Sequence, residues 1–182
     1  MSYEDARKFS DRKLPEVQRI IAPYLFQAAP FFEDTQQATD LMILTAKDRR
    51  IAVRIRRSGY AMRYPFQFTI RAFANGCKTE IHKIREGFGD YFFYGHSSDD
   101  ATSAIGKWML LDLDVFRDEE RALKPHSVIN RDGTKGYAYD ARWFSKKILI
   151  GSNFSVFPDL PLNAIQLFDL SGWEGHVICN KT

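Results

Sequence analysis

The chain has 182 residues, of which 45% are hydrophobic, 14% aromatic and 27% charged, and its formal net charge is +3. A chain of this length and aromatic content forms one domain with a buried core, which excludes disordered and low-complexity classes. No apolar run approaches the roughly 20 residues of a membrane-spanning helix, and the charged start MSYEDARKFSDRK has no apolar segment typical of a secretory signal. Two cysteines, Cys77 and Cys179, are too few for a disulfide framework. We therefore expect a cytoplasmic protein without a membrane partner.

The first half of the chain predicts a helix, three strands, a second helix and a further strand. Apolar residues recur at helical spacing from Leu14 to Leu25, after Ser10 or Asp11 as the cap. The second and third strands alternate apolar with polar residues, which is typical of strands with one buried face. In chain order these elements lie over 14–25, 39–46, 51–57, 66–73, 77–88 and 90–97.

The second half predicts further strands and a brief helix. Residues 107–116 form a buried strand in this prediction, because both of its faces are apolar. A helix is expected over 118–124, a turn at Asp132–Gly133 and a strand over 146–152. The whole order predicts a single α+β domain with a central mixed sheet. We expect residues 14–95 to form its core and residues 96–182 to pack on the same sheet.

The net charge of +3 conceals an uneven distribution. Residues 47–88 hold eleven basic residues and three acidic ones, a net charge of +8, so the rest of the chain carries −5. Such a positive face favours phosphate groups or an acidic partner, and arginines interleaved with aromatics suit phosphate contact and base stacking. The predicted nucleic-acid-binding residues are Arg49, Arg50, Arg54, Arg57, Arg71, Lys83, Tyr60 and Tyr64. The alternative is a solvated strand edge that basic residues protect from aggregation.

The order of the first elements resembles the core of the PD-(D/E)XK nuclease superfamily, over roughly residues 14–95. The segment TDLMILTAKDRRIAVRIRR is similar to the metal-binding hairpin of archaeal Holliday-junction resolvases. The resemblance implies a restriction-endonuclease-like fold with a three-stranded meander. It also implies an Asp that opens one strand, an acid-x-Lys triplet on the next, and acidic ligands for Mg²⁺ or Mn²⁺ that activates water.

Transferred to this chain, the family pattern places Asp40 at the first acid and Glu16 at an acid that some members add on the first helix. The triplet falls on Arg54-Ile55-Arg56, where an arginine replaces the second acid and cannot coordinate a cation. Glu80 is then the candidate for an acid that has moved to the following helix, with Lys83 one turn later. The candidate catalytic residues are Asp40, Glu80 and Arg56, and the candidate metal ligands are Asp40, Glu80 and Glu16. Asp40 fits equally well as a turn residue that bonds the local backbone.

Histidine and cysteine residues offer fewer candidates. The four histidines lack HxH or HxxxH spacing and fit no metal template. His82 is predicted on a solvated helix face. His96 is predicted at the end of a strand, where Asp99 and Asp100 nearby would allow it to form part of a functional site. Cys77 favours a structural role because no companion base is identifiable.

The chain as a whole, including GDYFFYGH and KWMLLDLDVFR, looks like uncharacterised proteins of bacteriophages and integrated elements. That likeness implies the cytoplasm of a bacterial host cell. Our first hypothesis is a protein that binds DNA or RNA on a nuclease-like core, with metal-dependent cleavage undecided. The second hypothesis is a non-catalytic phage protein whose basic surface binds and inhibits an acidic host protein. Both hypotheses are compatible with a protein that forms a homodimer.

Overall fold

The computed structural model describes residues 3–24, 26–28, 41–43, 49–73, 79–129 and 133–158. The helices are α1 (Tyr3–Ile21), α2 (Tyr60–Arg63), α3 (Glu80–Arg85) and α4 (Leu113–Glu119). Short 3₁₀ helices cover Ala22–Tyr24, Glu120–Ala122, Ala141–Trp143 and Lys146–Ile148. The strands are β1 (Phe26–Ala28), β2 (Leu41–Ile43), β3 (Ile51–Arg56), β4 (Gln67–Phe73), β5 (Tyr91–Ser97), β6 (Ile105–Asp112), β7 (His126–Ile129), β8 (Lys135–Asp140) and β9 (Leu149–Ser152). Among these helices, none combines the length and apolar character that crossing a bilayer requires.

The strands that the structure describes form three sheets. The largest has the order β3-β5-β6-β9, in which β3 and β5 run parallel and the other neighbours antiparallel. A second sheet has the antiparallel order β4-β8-β7, and β1 pairs antiparallel with β2. Within the described residues, β3 is therefore an edge strand of the mixed sheet. The predicted α+β class with a mixed sheet is confirmed.

Two apolar clusters cover the opposite faces of the mixed sheet. On one face, Val17 and Ile21 of α1 pack with Phe93 and Leu110. The other cluster joins the sheet to α3, β4, α4 and β8 through Phe92, Met109, Ile81, Phe68, Phe116 and Tyr139. Because β5 alternates its side chains between the two clusters, all seven of its residues are buried. Consequently α1 and α3 lie on opposite sides of this sheet.

A buried lysine fixes α1 at the carboxyl end of β5. The Lys13 ammonium group donates to Ser97 Oγ at 2.7 Å, to the Asp99 carbonyl at 2.8 Å and to the Ala104 carbonyl at 3.0 Å. Burial lowers the pKa of Lys13 from its usual value, while Asp100 and Asp99 oppose that shift. The three acceptors satisfy the ammonium group that α1 brings into the interior.

The strand pairing differs from the predicted meander. β3 pairs in parallel with β5, β4 pairs with β8 in another sheet, and the described residues of β2 pair with β1. A strand that is buried throughout, as β5 is, requires neighbours along both edges, and β3 and β6 supply them. Parallel pairing of β3 with β5 requires a long crossover, which α2, β4 and α3 provide.

The buried strand predicted over 107–116 is correct only as far as Asp112. The Asp112 side chain accepts hydrogen bonds from the amides of Asp114 at 2.7 Å and Val115 at 3.1 Å, and it thereby caps α4. Leu113 and Phe116 are buried on the inner face of α4. The helix predicted over 118–124 begins earlier for the same reason.

Candidate nucleic-acid interface

A groove of about 610 Å³ lies beside β3, between that strand, the exposed end of β4 and α3. Its floor is apolar and comes from Ile51, Ala52, Val53 and Ile84. Its charged lining comes from Arg50, Arg54, Arg71, Lys83 and Glu80, and Phe88 and Gly89 also line it. Four basic side chains and one carboxylate give this groove a net positive charge.

Helix α3 places its charged residues in the groove because of its apolar face. Ile81 and Ile84 are buried against the core, which turns Glu80 and Lys83 towards the groove at helical spacing. The helix ends at Arg85, and Gly87 in the turn after it has a φ of 89°, in the left-handed region that favours glycine. The Phe88 amide then donates to the Lys83 carbonyl at 3.0 Å, which holds the Phe88 ring beside the helix.

Glu80 and Arg54 form the central ion pair of the groove. The Arg54 guanidinium group lies 2.9 Å from Glu80 Oε2, and the two side chains are 18% and 26% exposed. The same oxygen accepts a hydrogen bond from the Arg71 backbone amide at 3.0 Å. Burial lowers the pKa of Arg54, and the Glu80 carboxylate opposes this shift. The pair therefore neutralises one of the predicted phosphate-binding arginines.

The described residues do not fit the Mg²⁺ or Mn²⁺ ion that the family resemblance implies. A cation at the Glu80 carboxylate would lie beside the guanidinium group of Arg54, which repels it and has no lone pair to coordinate it. Within the ranges that the structure describes, no group of three or more His, Cys, Asp or Glu residues is arranged to hold a metal ion. The first predicted ligand, Asp40, lies outside the described residues.

The structure does not bring Glu16 and Glu80 together. Glu16 lies on α1, where its carboxylate accepts hydrogen bonds from Arg19 at 2.6 and 2.9 Å. This bond to Arg19 lowers the pKa of Glu16. Because α1 and α3 pack on opposite faces of the mixed sheet, the sheet separates the two carboxylates.

Other arginines that were predicted to bind nucleic acid are paired with acidic residues outside the basic segment 47–88. Arg49 and Arg50 both lie near the Asp90 carboxylate, at 3.3 and 3.8 Å. Arg57 lies 3.3 Å from Asp100. The charge of +8 counted along the sequence is therefore partly neutralised in three dimensions.

The remaining basic residues keep their charge without a carboxylate partner among the described residues. They are Arg56, Arg63, Arg71 and Lys83. Arg71 and Lys83 line the groove and are exposed. Arg56 lies beyond it, where its guanidinium group donates to Tyr94 Oη at 3.1 Å and to Thr69 Oγ1 at 2.5 Å.

The predicted aromatic residues lie at the carboxyl end of β3. Tyr60 is 49% exposed and its ring centre is 5.8 Å from the Arg56 guanidinium group. Tyr64 contacts Arg63, at 5.4 Å from the ring centre. At the other end of β3, Arg50 lies 5.7 Å from the centre of the Phe88 ring. Basic and aromatic side chains therefore occur together at both ends of the strand.

Sequence reasoning missed Phe88 and Arg63 as members of this surface. Phe88 continues the helical spacing of Ile81 and Ile84, which predicts a core position, yet its ring is 54% exposed. Gly87 was the sequence signal against a core position, because a glycine just after a helix indicates that the helix has ended before Phe88.

Comparison with family models, with curated proteins and with solved structures finds no match. The resemblance to the PD-(D/E)XK superfamily and to phage proteins therefore stays a prediction.

Proposed function

We propose that this protein binds nucleic acid in the groove beside β3. The observation that carries the proposal is the charge of the groove, where Arg71 and Lys83 have no carboxylate partner among the described residues. Arginine and lysine at an open, concave surface attract phosphate groups and release the counterions of the nucleic acid. The apolar floor and the Phe88 ring supply contact area for sugars and bases.

The proposal is one of binding rather than cleavage. By the proposed resemblance, Arg54 falls where the family pattern has its second acid, and in the structure Arg54 is bonded to Glu80. No metal-dependent step is assigned to these residues.

The test is the salt dependence of binding to DNA and RNA. Substitution of both Arg71 and Lys83 by Gln removes two positive charges while keeping side chains of similar length. Each phosphate contact contributes roughly 0.7 to 0.9 to the slope of log K against log salt. We therefore expect this double variant to bind more weakly and its slope to become shallower by roughly 1.4 to 1.8. Fluorescence anisotropy over a salt series measures both quantities.

A matched control substitutes Arg7 and Lys8 by Gln. These exposed residues lie on α1, on the opposite side of the mixed sheet, and their replacement changes the net charge by the same amount. If both double variants weaken binding equally, net charge rather than the groove is responsible. If neither DNA nor RNA binds at low salt, the phosphate model is wrong, and an acidic host protein, captured from nuclease-treated lysate, becomes the partner to test.

A further inference from the structure

Among the described residues, one carboxylate oxygen of Glu80 accepts no hydrogen bond inside the basic groove. Both of its hydrogen bonds, from Arg54 and from the Arg71 amide, go to Oε2. Among the described residues no donor reaches Oε1. Two donors on one oxygen fix the orientation of the carboxylate, and the side chain is still 26% exposed. Oε1 is therefore a fixed acceptor for a group that enters the groove.

A phosphate group cannot be the group that meets Oε1, because phosphate and carboxylate repel one another. A ligand that enters must bring a hydrogen-bond donor to Glu80 while its anionic groups lie near Arg71 and Lys83. A nucleotide has this arrangement when its base carries an amino group, since carboxylates accept hydrogen bonds from cytosine N4. Base pairing uses only one of the two N4 hydrogens, so this contact alone does not require an unpaired base; stacking does, because a base inside a duplex has no free face for an aromatic ring.

Phe88 supplies the second contact that an unpaired base requires. Its ring is 54% exposed and lines the same groove as Glu80. Single-stranded nucleic acids bind through stacking of bases on exposed aromatic rings together with basic residues along the backbone. The groove of about 610 Å³ has the volume of a small-ligand site, which suits one or two nucleotides.

We propose that the groove binds single-stranded nucleic acid and selects a base with an exocyclic amino group. The base stacks on Phe88 and its amino group donates to Glu80 Oε1, while Arg71 and Lys83 contact the neighbouring phosphates. Cytosine meets this requirement, whereas uracil presents a carbonyl oxygen at the equivalent position and is repelled by the carboxylate. This inference rests on the proposed nucleic-acid binding and assigns its substrate class.

The direct test compares oligo(dC) with oligo(dU) of equal length on the unmodified protein. The two bases differ at C4, where cytosine carries an amino group and uracil a carbonyl group, and at N3, which carries a hydrogen only in uracil. At slightly alkaline pH, where cytosine is not protonated, we expect oligo(dC) to bind about tenfold more tightly, as one hydrogen bond to a charged group contributes. A duplex of mixed sequence should compete poorly against oligo(dC).

The variant Glu80→Gln tests whether Glu80 causes the preference. Its amide oxygen can still accept from Arg54, while its NH₂ group turns the acceptor at Oε1 into a donor that suits uracil. We expect the ratio of the two affinities to fall to about 1 or to reverse. Glu86→Gln, on the same segment but outside the groove lining, removes the same charge and should leave the ratio unchanged.

Phe88→Leu tests the stacking contact separately. We expect it to weaken both oligonucleotides about tenfold, since stacking on an aromatic ring contributes this much per base. Phe73→Leu is its matched control, because Phe73 is similarly exposed but is not part of the groove lining.

The outcomes separate this inference from the proposed function. Equal, salt-dependent binding of oligo(dC) and oligo(dU), or a preference that survives Glu80→Gln, overturns the base selection and leaves nucleic-acid binding in place. A duplex that competes as well as oligo(dC) overturns the single-strand assignment. Absence of binding to every oligonucleotide at low salt overturns both.

Discussion

His96 is a buried side chain to which no described residue donates, and from which none accepts, a hydrogen bond. It is 2% exposed, and neither of its ring nitrogens has a partner among the described residues. Its ring meets the edge of Tyr94, with 5.4 Å between the ring centres. Burial lowers the pKa of His96 to about 4, and the positive charges of Arg56 and Lys107 contribute to the shift. The imidazole is therefore neutral at physiological pH.

This shift predicts a loss of stability in mild acid. In the unfolded chain a histidine has a pKa of about 6.5, so between that pH and about pH 4 the unfolded state binds a proton that the folded state does not. The free energy of unfolding should consequently fall as the pH is lowered through this range, by about 3 kcal/mol from His96. Urea unfolding at a series of pH values measures the effect.

The variant His96→Leu should remove this part of the pH dependence. Leucine also eliminates the unpaired buried nitrogens, so at neutral pH we expect stability equal to the unmodified protein or about 1 kcal/mol greater. His126→Leu, at an exposed position in β7, should leave the pH dependence unchanged. An identical acid sensitivity in His96→Leu would show that other groups cause it.

At the scale of elements, the 3₁₀ helix Ala22–Tyr24 that follows α1 meets β9 through a close approach between Tyr24 and Gly151. A Cβ atom on Gly151 would lie 2.5 Å from Tyr24 Cε1 and 2.6 Å from its hydroxyl oxygen. The Tyr24 ring packs edge-on against Trp108 in β6, with 6.0 Å between ring centres. The ring therefore has little room to withdraw.

We expect Gly151→Ala to destabilise the protein by about 1–3 kcal/mol, the usual cost of overpacking a core. Thermal or urea unfolding measures this change. Gly106→Ala is the matched control in β6, since the nearest atom to its added methyl group would be 3.4 Å away. Combining Gly151→Ala with Tyr24→Leu should cost less than the sum of the single changes, and strict additivity would contradict the proposed contact.

The individual elements were more predictable than their pairing. Alternation in β3 and β4 and the aromatic run of β5 identified these strands, because side-chain period is a local property. Strand pairing depends on how β5 becomes buried on both of its faces, and only the assembled core determines this. The end of β6 was readable in part, since Asp112 followed by Leu113 and Asp114 is a helix-cap pattern, but the apolar run concealed it.

The candidate site shows the same limit. The sequence located Arg71, Lys83 and Glu80, because charge can be counted along a chain. It did not show which arginines are neutralised, because Asp90 and Asp100 lie outside the basic segment 47–88, one directly before β5 and the other in the turn after it. The parallel pairing of β3 with β5 creates these contacts.

At the scale of the whole molecule, the two halves of the chain share their sheets. β6 lies between β5 and β9 in the mixed sheet, and β8 pairs with β4 in the second. Met109 and Leu110 of β6 point into the two different apolar clusters. Both apolar clusters therefore combine residues from 14–95 with strands from residues 96–158.

This sharing predicts that a fragment ending at residue 97 does not fold alone, although it contains every residue of the groove. Without β6, the β5 strand loses its antiparallel neighbour, and both faces of the remaining sheet lose part of their apolar cover. The fragment exposes a strand edge and apolar surface that are buried in the full chain. The short helices α2 and α3 do not stabilise it enough to offset this loss. We expect circular dichroism of the fragment in urea to show no cooperative transition, while the full chain shows one. A fragment that unfolds cooperatively and keeps the preference for oligo(dC) over oligo(dU) would contradict this dependence, because the groove would then be supported by the first half alone.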